Sequence, residues 1–357
     1  GREIHDFLTC YTRYDNTSAY GNALMLRGDY TDVIVNAHKS PDRYAEQKVT
    51  MPDGATATMI CTIVDIEGEP REILFYIPDN ASELQPDGAP VITAWAGGSQ
   101  TNIIFFDSTC WWETANQIGI ALIFTNEAYN TSVAVTPADV DACYHAMLDL
   151  LEGWNDSGKF QFDLSRIYIT GQSMGSMESQ QFAQETPDYY AAVASTSFYQ
   201  DYPDAHSDKP IPTYLINGEG NGKDDTGTPY DDRWNRTDDW AQYFLRVNGF
   251  VYTPAVYAAD GTVTTFGVPV SEPVFTVTGP YDRFETYTWI NGQDIPLVQY
   301  TNSLYRPHNC LTSEIPMLWD FLEHYRCERD EDGAVTARYY SASAFERDDQ
   351  VLIQFGA

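Results

Sequence analysis

The stretch YITGQSMGSMESQQFAQETPDYYAAVAS, from Tyr168 to Ser195, carries the strongest architectural signal in this chain. It holds the pattern G-x-S-x-G at Gly171, Ser173 and Gly175. A pattern this short arises by chance in many chains that contain much glycine and serine. Its meaning therefore depends on the elements that precede and follow it.

The sequence on either side of Ser173 predicts a strand, a sharp turn and a helix. RIYIT at 166–170 is a short apolar run, and residues 174–185 have the pattern of a helix. A serine on a strained strand-to-helix turn is typical of a nucleophile, and glycines let the chain turn where a Cβ would clash. The free N–H groups of the helix would face charge that develops near Ser173. We therefore predict a nucleophilic Ser173; the alternative is a purely structural turn.

Short apolar runs alternate with helical patterns through most of the chain. The predicted strands are 90–95, 120–125, 166–170, 191–195 and 213–217. One predicted helix begins at Pro137, and three more cover 174–185, 231–247 and 313–325. Fully apolar short strands suit a parallel sheet that is buried on both faces, and strand–helix alternation produces right-handed crossovers. The fold class is therefore α/β, with a mostly parallel central sheet flanked by helices.

Three further segments complete the predicted organisation. Residues 55–77 predict an N-terminal β-hairpin, and residues 1–50 before it read as an irregular extension. Residues 223–300 form a strand-rich insertion before the last helix, with a hairpin signal at Asn291-Gly292. We interpret this insertion as a lid or a wall of the substrate cleft. No linker interrupts the chain, so we predict a single domain over 1–357.

Composition excludes several classes of function. The chain has 357 residues, 43% of them hydrophobic, which is typical of a globular protein. The 52 acidic and 20 basic side chains give a net charge of −32, which repels nucleic acid and anionic membranes. No apolar run is long enough to span a bilayer. The six cysteines form no CxxC pair, which argues against zinc, and their even number fits a secreted protein with disulfides.

A serine nucleophile needs a histidine base. Three histidines follow Ser173 in the chain: His206, His308 and His324. His206 precedes the strand at 213–217, and His324 falls inside the last helical pattern. His308 lies in a loop between a strand and the last helix, where a base of this architecture is expected, so we predict that His308 is the base.

A carboxylate must orient the histidine, and several acidic residues compete for this role. The acid is expected after the strand at 213–217. The candidates are Glu219, Asp224 and Asp225, with Asp201 and Asp204 after the preceding strand as further alternatives. We favour Glu219 and Asp224, and the choice between them stays open because this surface is rich in solvated acids.

The transition state of ester or amide cleavage carries an oxyanion that two backbone N–H groups should meet. One N–H group belongs to the residue after the nucleophile, Met174, and the other comes from the loop after the third strand. That loop reads WAGGSQT, so Gly98 or Ser99 is the predicted second donor. The alternative is an ordinary turn at the end of a strand.

The order of these pieces resembles a family, the polyhydroxybutyrate depolymerases and feruloyl or acetylxylan esterases of the α/β-hydrolase fold. The phrases that carry the resemblance are AGGSQ, ANQIGIALIFTNEAYN, DLSRIYITGQSMG, PDYYAAVAS and RPHNC, over roughly 70–310. Two positions depart from the family pattern. Ala96 replaces a loop histidine, which affects the bracing of the loop, and Asn221 occupies the usual position of the acid.

The resemblance implies a secreted or extracellular serine esterase that needs no metal or organic cofactor. Its expected partner is an ester substrate, polysaccharide-linked or polymeric, with feruloyl or acetyl plant-wall esters first and a polyester second. Trp95, Trp111 and Trp112 are candidates to line the cleft, or else they belong to the core. A serine peptidase and an inactive hydrolase-fold binding protein remain alternatives.

Overall fold

A computed structural model describes most of the chain. The described residues are 11–13, 24–26, 45–66, 69–98, 100–128, 137–199, 204, 206–218, 238–254, 256–260, 263–265, 267–304, 306, 308, 310–331 and 333–356. Every structural statement below concerns these residues.

The strands and helices alternate through the middle of the chain. The strands are β1 (Tyr11–Arg13), β2 (Leu24–Leu26), β3 (Ala45–Thr50), β4 (Thr56–Ile66), β5 (Glu69–Pro78), β6 (Ala89–Trp95), β7 (Ala121–Ala128), β8 (Phe162–Gly171), β9 (Val193–Thr196), β10 (Thr213–Gly218), β11 (Tyr252–Thr253), β12 (Val256–Tyr257), β13 (Val263–Thr265), β14 (Val268–Pro269), β15 (Val274–Thr278), β16 (Phe284–Ile290), β17 (Pro296–Ser303), β18 (Tyr325–Arg329), β19 (Val335–Tyr340) and β20 (Val351–Leu352). The helices are α1 (Ala81–Leu84), α2 (Asn102–Thr109), α3 (Trp111–Ile118), α4 (Pro137–Ser157), α5 (Met174–Glu185), α6 (Asp238–Val247) and α7 (Glu314–Leu322).

The chain forms two compact units. The first comprises Gly1–Ala89 and Trp112–Phe162. Within it, the strand order is β7-β5-β4-β3, and β4 pairs antiparallel with β5, which confirms the predicted N-terminal hairpin. The pair of β1 and β2 is also antiparallel, so the segment predicted as irregular contains regular structure.

The second unit comprises Pro90–Trp111 and Asp163–Ala357, and its strand order is β15-β16-β17-β10-β9-β8-β6. The pairs β8–β9, β9–β10 and β10–β17 are parallel, and every residue of β9 and β10 is buried, as their apolar sequences predicted. Antiparallel β16 and β15 extend this sheet, and β16 joins β17 through the turn predicted at Asn291-Gly292. The predicted α/β fold with a mostly parallel centre is confirmed.

The end of the chain differs from the sequence-based expectation. The last helix ends at Leu322 rather than continuing to 325, because Tyr325 is fully buried and begins β18, which pairs with β19. Of the predicted helix at 231–247, the part Asp238–Val247 is helical, and residues 231–237 lie outside the described ranges. No helix in the described ranges combines the length and the apolar character that crossing a bilayer requires. The single domain and the lid role of 223–300 stay predictions.

Parallel strands bring their carboxyl ends to one edge of a sheet, where open α/β sheets place their ligand sites. In the second unit, β8 ends at Gly171, β9 at Thr196 and β10 at Gly218. Ser173 follows the first of these ends. The candidate site is therefore assembled at this edge.

Candidate active site

The predicted turn at Ser173 is present and strained. Ser173 has φ 58° and ψ −118°, a backbone conformation that glycine tolerates better than serine, and α5 begins at the next residue. A Cβ on Gly171 would lie 2.0 Å from the carbonyl oxygen of Gly175, and a Cβ on Gly175 would lie 1.9 Å from the carbonyl oxygen of Trp95. Both glycines of the pattern are thus required by close backbone approach.

Backbone hydrogen bonds hold this strained turn in place. The Ser173 N–H donates to the Thr196 carbonyl at 3.2 Å, and the Gln172 N–H donates to the Trp95 carbonyl at 3.3 Å. The Met177 N–H donates to the Ser173 carbonyl at 3.0 Å and so starts the helix. The backbone of Ser173 is thus held from both sides in its strained conformation.

Ser173 and His308 are brought together across 135 residues of sequence. The Oγ of Ser173 lies 2.8 Å from Nε2 of His308, within the reach of a nucleophile–base hydrogen bond. Partial burial lowers the pKa of His308 below its usual range, the charge of Arg306 lowers it further, and a hydrogen bond with the backbone of Ser197 opposes both effects. The net shift favours the neutral ring, which is the form that can accept a proton.

The other two histidines downstream of Ser173 have structural partners elsewhere. The His206 ring packs against Tyr243, with the ring centroids 4.2 Å apart. Nδ1 of His324 lies 2.7 Å from the Ser341 carbonyl oxygen, next to the C-terminal strands. Among the three histidines considered from sequence, the structure brings His308 to Ser173.

The described residues do not include the favoured acid of the predicted triad. Glu219, Asp224 and Asp225 lie outside the described residues, as do Asn221 and Asp201. The remaining alternative, Asp204, is described and exposed. The assignment of Glu219 or Asp224 therefore stays a prediction.

The backbone around the predicted oxyanion hole has a defined arrangement. Met174 begins α5, so its N–H belongs to the first helical turn, which has no intrahelical acceptor. The Gly97 N–H donates to Oε1 of Gln100 at 3.0 Å, and the Gln100 N–H donates back to the Gly97 carbonyl at 3.1 Å. Gly98 lies so close to Met174 that a Cβ on Gly98 would be 2.6 Å from Sδ of Met174. Ser99 lies outside the described residues.

These contacts show what braces the loop in place of the histidine that Ala96 replaces. Ala96 is 1% exposed and offers no side chain to brace the loop in the way a histidine would. The Gln100 amide supplies the brace instead, because it binds the loop backbone at Gly97. Because the Gly97 N–H is used in this way, Gly98 stays the predicted second donor beside Met174.

The tryptophans predicted as candidates for the cleft belong to the core. Trp95, Trp111 and Trp112 are only 2%, 1% and 7% exposed, so their rings present almost no surface to a ligand. The Trp95 ring packs on Phe182 of α5 with centroids 5.3 Å apart. The substrate-lining prediction for these three residues is therefore corrected in favour of the alternative, a role in packing.

Two exposed apolar side chains near the site were not singled out from sequence. The ring of Phe198 lies edge-on to that of His308, with centroids 6.3 Å apart, and is 39% exposed. Met174, directly after the nucleophile, is 50% exposed. Only the position of Phe198 just after a predicted strand could have suggested its place beside the base.

A buried ion pair beneath His308 was also missed. Nε of Arg306 lies 2.7 Å from Oε1 of Glu314, and neither side chain has any exposed surface. Burial raises the pKa of Glu314 and lowers that of Arg306, while the attraction between the two charges opposes each shift. The one signal in the sequence was a basic residue two positions before the predicted base, in a chain with few basic residues.

Comparisons with known proteins add a fold-level context. No protein-family model and no curated protein matches the chain. Among solved structures, it is similar to an acetyl xylan esterase from Aspergillus awamori, with 15% identity, coverage of 77% of this chain and 98% of that one, and a TM-score of 0.46. It is also similar to an S-formylglutathione hydrolase from Agrobacterium tumefaciens, with 12% identity, 76% and 94% coverage and a TM-score of 0.43.

A third similar structure is a glucuronoyl esterase from Solibacter usitatus, with 12% identity, 82% and 90% coverage and a TM-score of 0.44. Similarities this remote do not transfer an activity or a substrate. The fold assignment rests on the molecule itself: parallel strands around β8, a serine on the turn into α5, and a histidine just before the last helix. The chain thus has the α/β-hydrolase fold, with a serine–histidine pair at its nucleophile position.

Proposed function

We propose that this protein is a serine carboxylic-ester hydrolase that works through an acyl-enzyme. The observation that carries the proposal is the 2.8 Å contact between Oγ of Ser173 and Nε2 of His308, made on a strained strand-to-helix turn. A serine hydroxyl is a weak nucleophile until a base removes its proton. This geometry supplies that base.

The proposed reaction has two halves. Ser173 Oγ attacks the ester carbonyl while His308 Nε2 takes the hydroxyl proton, and His308 then returns that proton to the leaving alcohol. The N–H groups of Met174 and Gly98 receive the oxyanion. Water, activated by His308, then attacks the acyl-enzyme and releases the acid and free Ser173. Glu219 or Asp224 would orient the imidazole.

Plant-wall esters with feruloyl or acetyl groups are the proposed substrates, and this choice rests on the sequence resemblance. The exposed surfaces of Phe198 and Met174 beside the reacting pair support an apolar wall for the acyl group. A polyester of the polyhydroxyalkanoate type is the second candidate. The acidic surface, with its net charge of −32, disfavours polyanionic substrates and membranes.

Secretion is part of the proposal. It rests on the resemblance and on the even number of cysteines in the sequence, six in all, although Cys310 and Cys327 are free thiols in the structure. Mass spectrometry of the native protein under non-reducing conditions would detect disulfides. Six free thiols in protein from its natural source would remove the cysteine argument for an oxidising compartment.

Hydrolysis of a short p-nitrophenyl ester tests the central claim. We expect Ser173→Ala to reduce turnover on the order of 10⁴-fold or more, because the residual rate then depends only on the oxyanion hole and substrate binding. Ser108→Ala, in α2, is the matched control and should retain the wild-type rate. Equal rates for Ser173→Ala and wild type would show that Ser173 is structural.

A second pair of measurements separates the alternatives. A fluorophosphonate should add covalently to Ser173 of the wild type; a protein that binds ligands on an inactive scaffold would remain unlabelled. Matched ester and amide substrates then distinguish an esterase from a peptidase. Comparable turnover of the amide would favour the peptidase alternative.

A further inference from the structure

The buried pair of Arg306 and Glu314 ties together three segments that surround the reacting residues. Nη1 of Arg306 donates to Oγ of Ser197 at 2.7 Å, and Nη2 donates to the Ile216 carbonyl at 3.3 Å. Oε2 of Glu314 accepts from Oγ1 of Thr196 at 3.0 Å. The pair therefore connects the end of β9, the strand β10 and the first turn of α7.

The fold makes room for this guanidinium. Gly218 ends β10, and a Cβ there would lie 3.0 Å from Cζ of Arg306 and 2.9 Å from its carbonyl oxygen. Ser197 adopts φ 85°, a left-handed conformation uncommon for serine, and its side chain is fully buried. Strain of this kind persists only where surrounding contacts over-determine it, and Arg306 provides one of these contacts.

Stability alone does not account for the pair. Removing two charges from water is costly, and replacing a buried ion pair by apolar residues of similar volume is often neutral or stabilising. The position of the pair suggests another role. Thr196 accepts the Ser173 N–H through its carbonyl, and the backbone of Ser197 hydrogen-bonds His308. Both reacting residues are thus anchored on the two residues that Arg306 and Glu314 hold.

We propose that Arg306, with Glu314 as its counter-charge, is a positioning residue that sets the relative placement of Ser173 and His308 by clamping the Thr196–Ser197 turn. The forked guanidinium is essential to this role, because it forms the ion pair with Glu314 and donates hydrogen bonds to Ser197 and Ile216 at once. The consequence for turnover rests on the proposed function; the consequence for the His308 environment does not.

Three variants separate positioning from packing. Arg306→Met with Glu314→Met removes the charges and the fork while keeping side-chain volume. Arg306→Lys keeps a cation but loses the fork. Arg338→Met is the matched control, because Arg338 is another buried arginine of the same unit, 7% exposed, that donates to the carbonyls of Pro210, Pro187 and Tyr190.

We expect the double variant to lose about 10²-fold in kcat with little change in KM, since small misplacements of reacting groups cost rates of this size. Arg306→Lys should also lower kcat, but by less than the double variant does. Arg338→Met should lower thermal stability, because three backbone carbonyls lose their donor, but it should leave kcat per active site unchanged. Full turnover in Arg306→Lys would overturn the role of the fork, and full turnover in the double variant would overturn the proposal.

A measurement independent of turnover completes the test. The ring of His308 can be titrated by NMR with labelled histidine and assigned with His308→Gln. Arg306→Lys keeps the cation but loses the fork, so a weakened Ser197 hydrogen bond should lower the pKa of His308 in that variant, while Arg338→Met leaves it unchanged. An unmoved His308 titration in Arg306→Lys contradicts the inference. A wild type that a fluorophosphonate does not label contradicts the proposed function instead, and the NMR result still decides the positioning role.

Discussion

Two serines at neighbouring strand ends have the same kind of backbone strain and opposite surroundings. Ser173 follows β8 with φ 58°, and Ser197 follows β9 with φ 85°. The hydroxyl of Ser173 reaches the surface and meets His308 Nε2 at 2.8 Å. The hydroxyl of Ser197 is fully buried and accepts a hydrogen bond from Arg306 at 2.7 Å.

This comparison shows that backbone strain at a strand end does not identify a nucleophile. Each turn is held by a backbone bond to the next strand: Ser173 N–H to the Thr196 carbonyl at 3.2 Å, and Ser197 N–H to the Ile216 carbonyl at 2.8 Å. What separates them is access to solvent and the chemical nature of the hydroxyl's partner. In the proposed function, the base His308 makes Ser173 reactive, whereas the cation Arg306 makes Ser197 a structural support.

The largest expected effects come from replacing each of the two serines in turn. Ser173→Gly should reduce turnover on the order of 10⁴-fold. The same variant should have a higher unfolding temperature, because glycine relieves backbone strain of about 1–3 kcal/mol. Ser197→Ala should retain part of the turnover and lower stability by about 1–3 kcal/mol, since a buried Arg306 donor loses its acceptor. Ester hydrolysis and thermal unfolding of both variants measure this crossed pattern. If turnover and unfolding temperature changed in the same way in both variants, the two serines would not have separate roles.

The glycine that allows the Ser173 turn gives the next largest effect. Gly175→Ala places a Cβ 1.9 Å from the Trp95 carbonyl oxygen, and backbone atoms cannot move away cheaply. We expect a loss of at least about 3 kcal/mol in the free energy of unfolding, together with loss of activity.

Gly153→Ala in α4 is the control for this substitution, because a Cβ there meets nothing within 4 Å. Alanine is the better helix former, so this change should increase stability by about 1 kcal/mol or less. Chemical denaturation of the two variants checks the contrast. A Gly175→Ala protein as stable as wild type would mean that the turn can open without cost.

The smallest effect concerns pH. His308 must be neutral to accept the Ser173 proton, so kcat/KM falls as the pH drops through the pKa of His308. Partial burial and the charge of Arg306 lower that pKa. We therefore expect the acidic limb of the kcat/KM profile below the usual histidine value of about 6.5. A limb above this value would show that a carboxylate outweighs both effects.

Local sequence was sufficient for much of the site. The pattern at Gly171, Ser173 and Gly175 depends on contacts within a few residues, and the structure reproduces its strand, turn and helix. His308 could be placed because loop position and element order follow from the alternation of apolar runs. Trp95 could not be assigned, since an aromatic residue reads the same in a cleft and in a core.

The residues along the chain established an α/β sheet, a strained serine and a histidine before the last helix, because periodicity, glycine spacing and element order are local properties. Folding established which hydroxyl is exposed, that Gln100 braces the loop at Gly97, and that Arg306 pairs with Glu314 beneath the base. These contacts join segments far apart in sequence, and their strength depends on burial. No linear pattern encodes burial residue by residue, so they became visible only when the strands were packed.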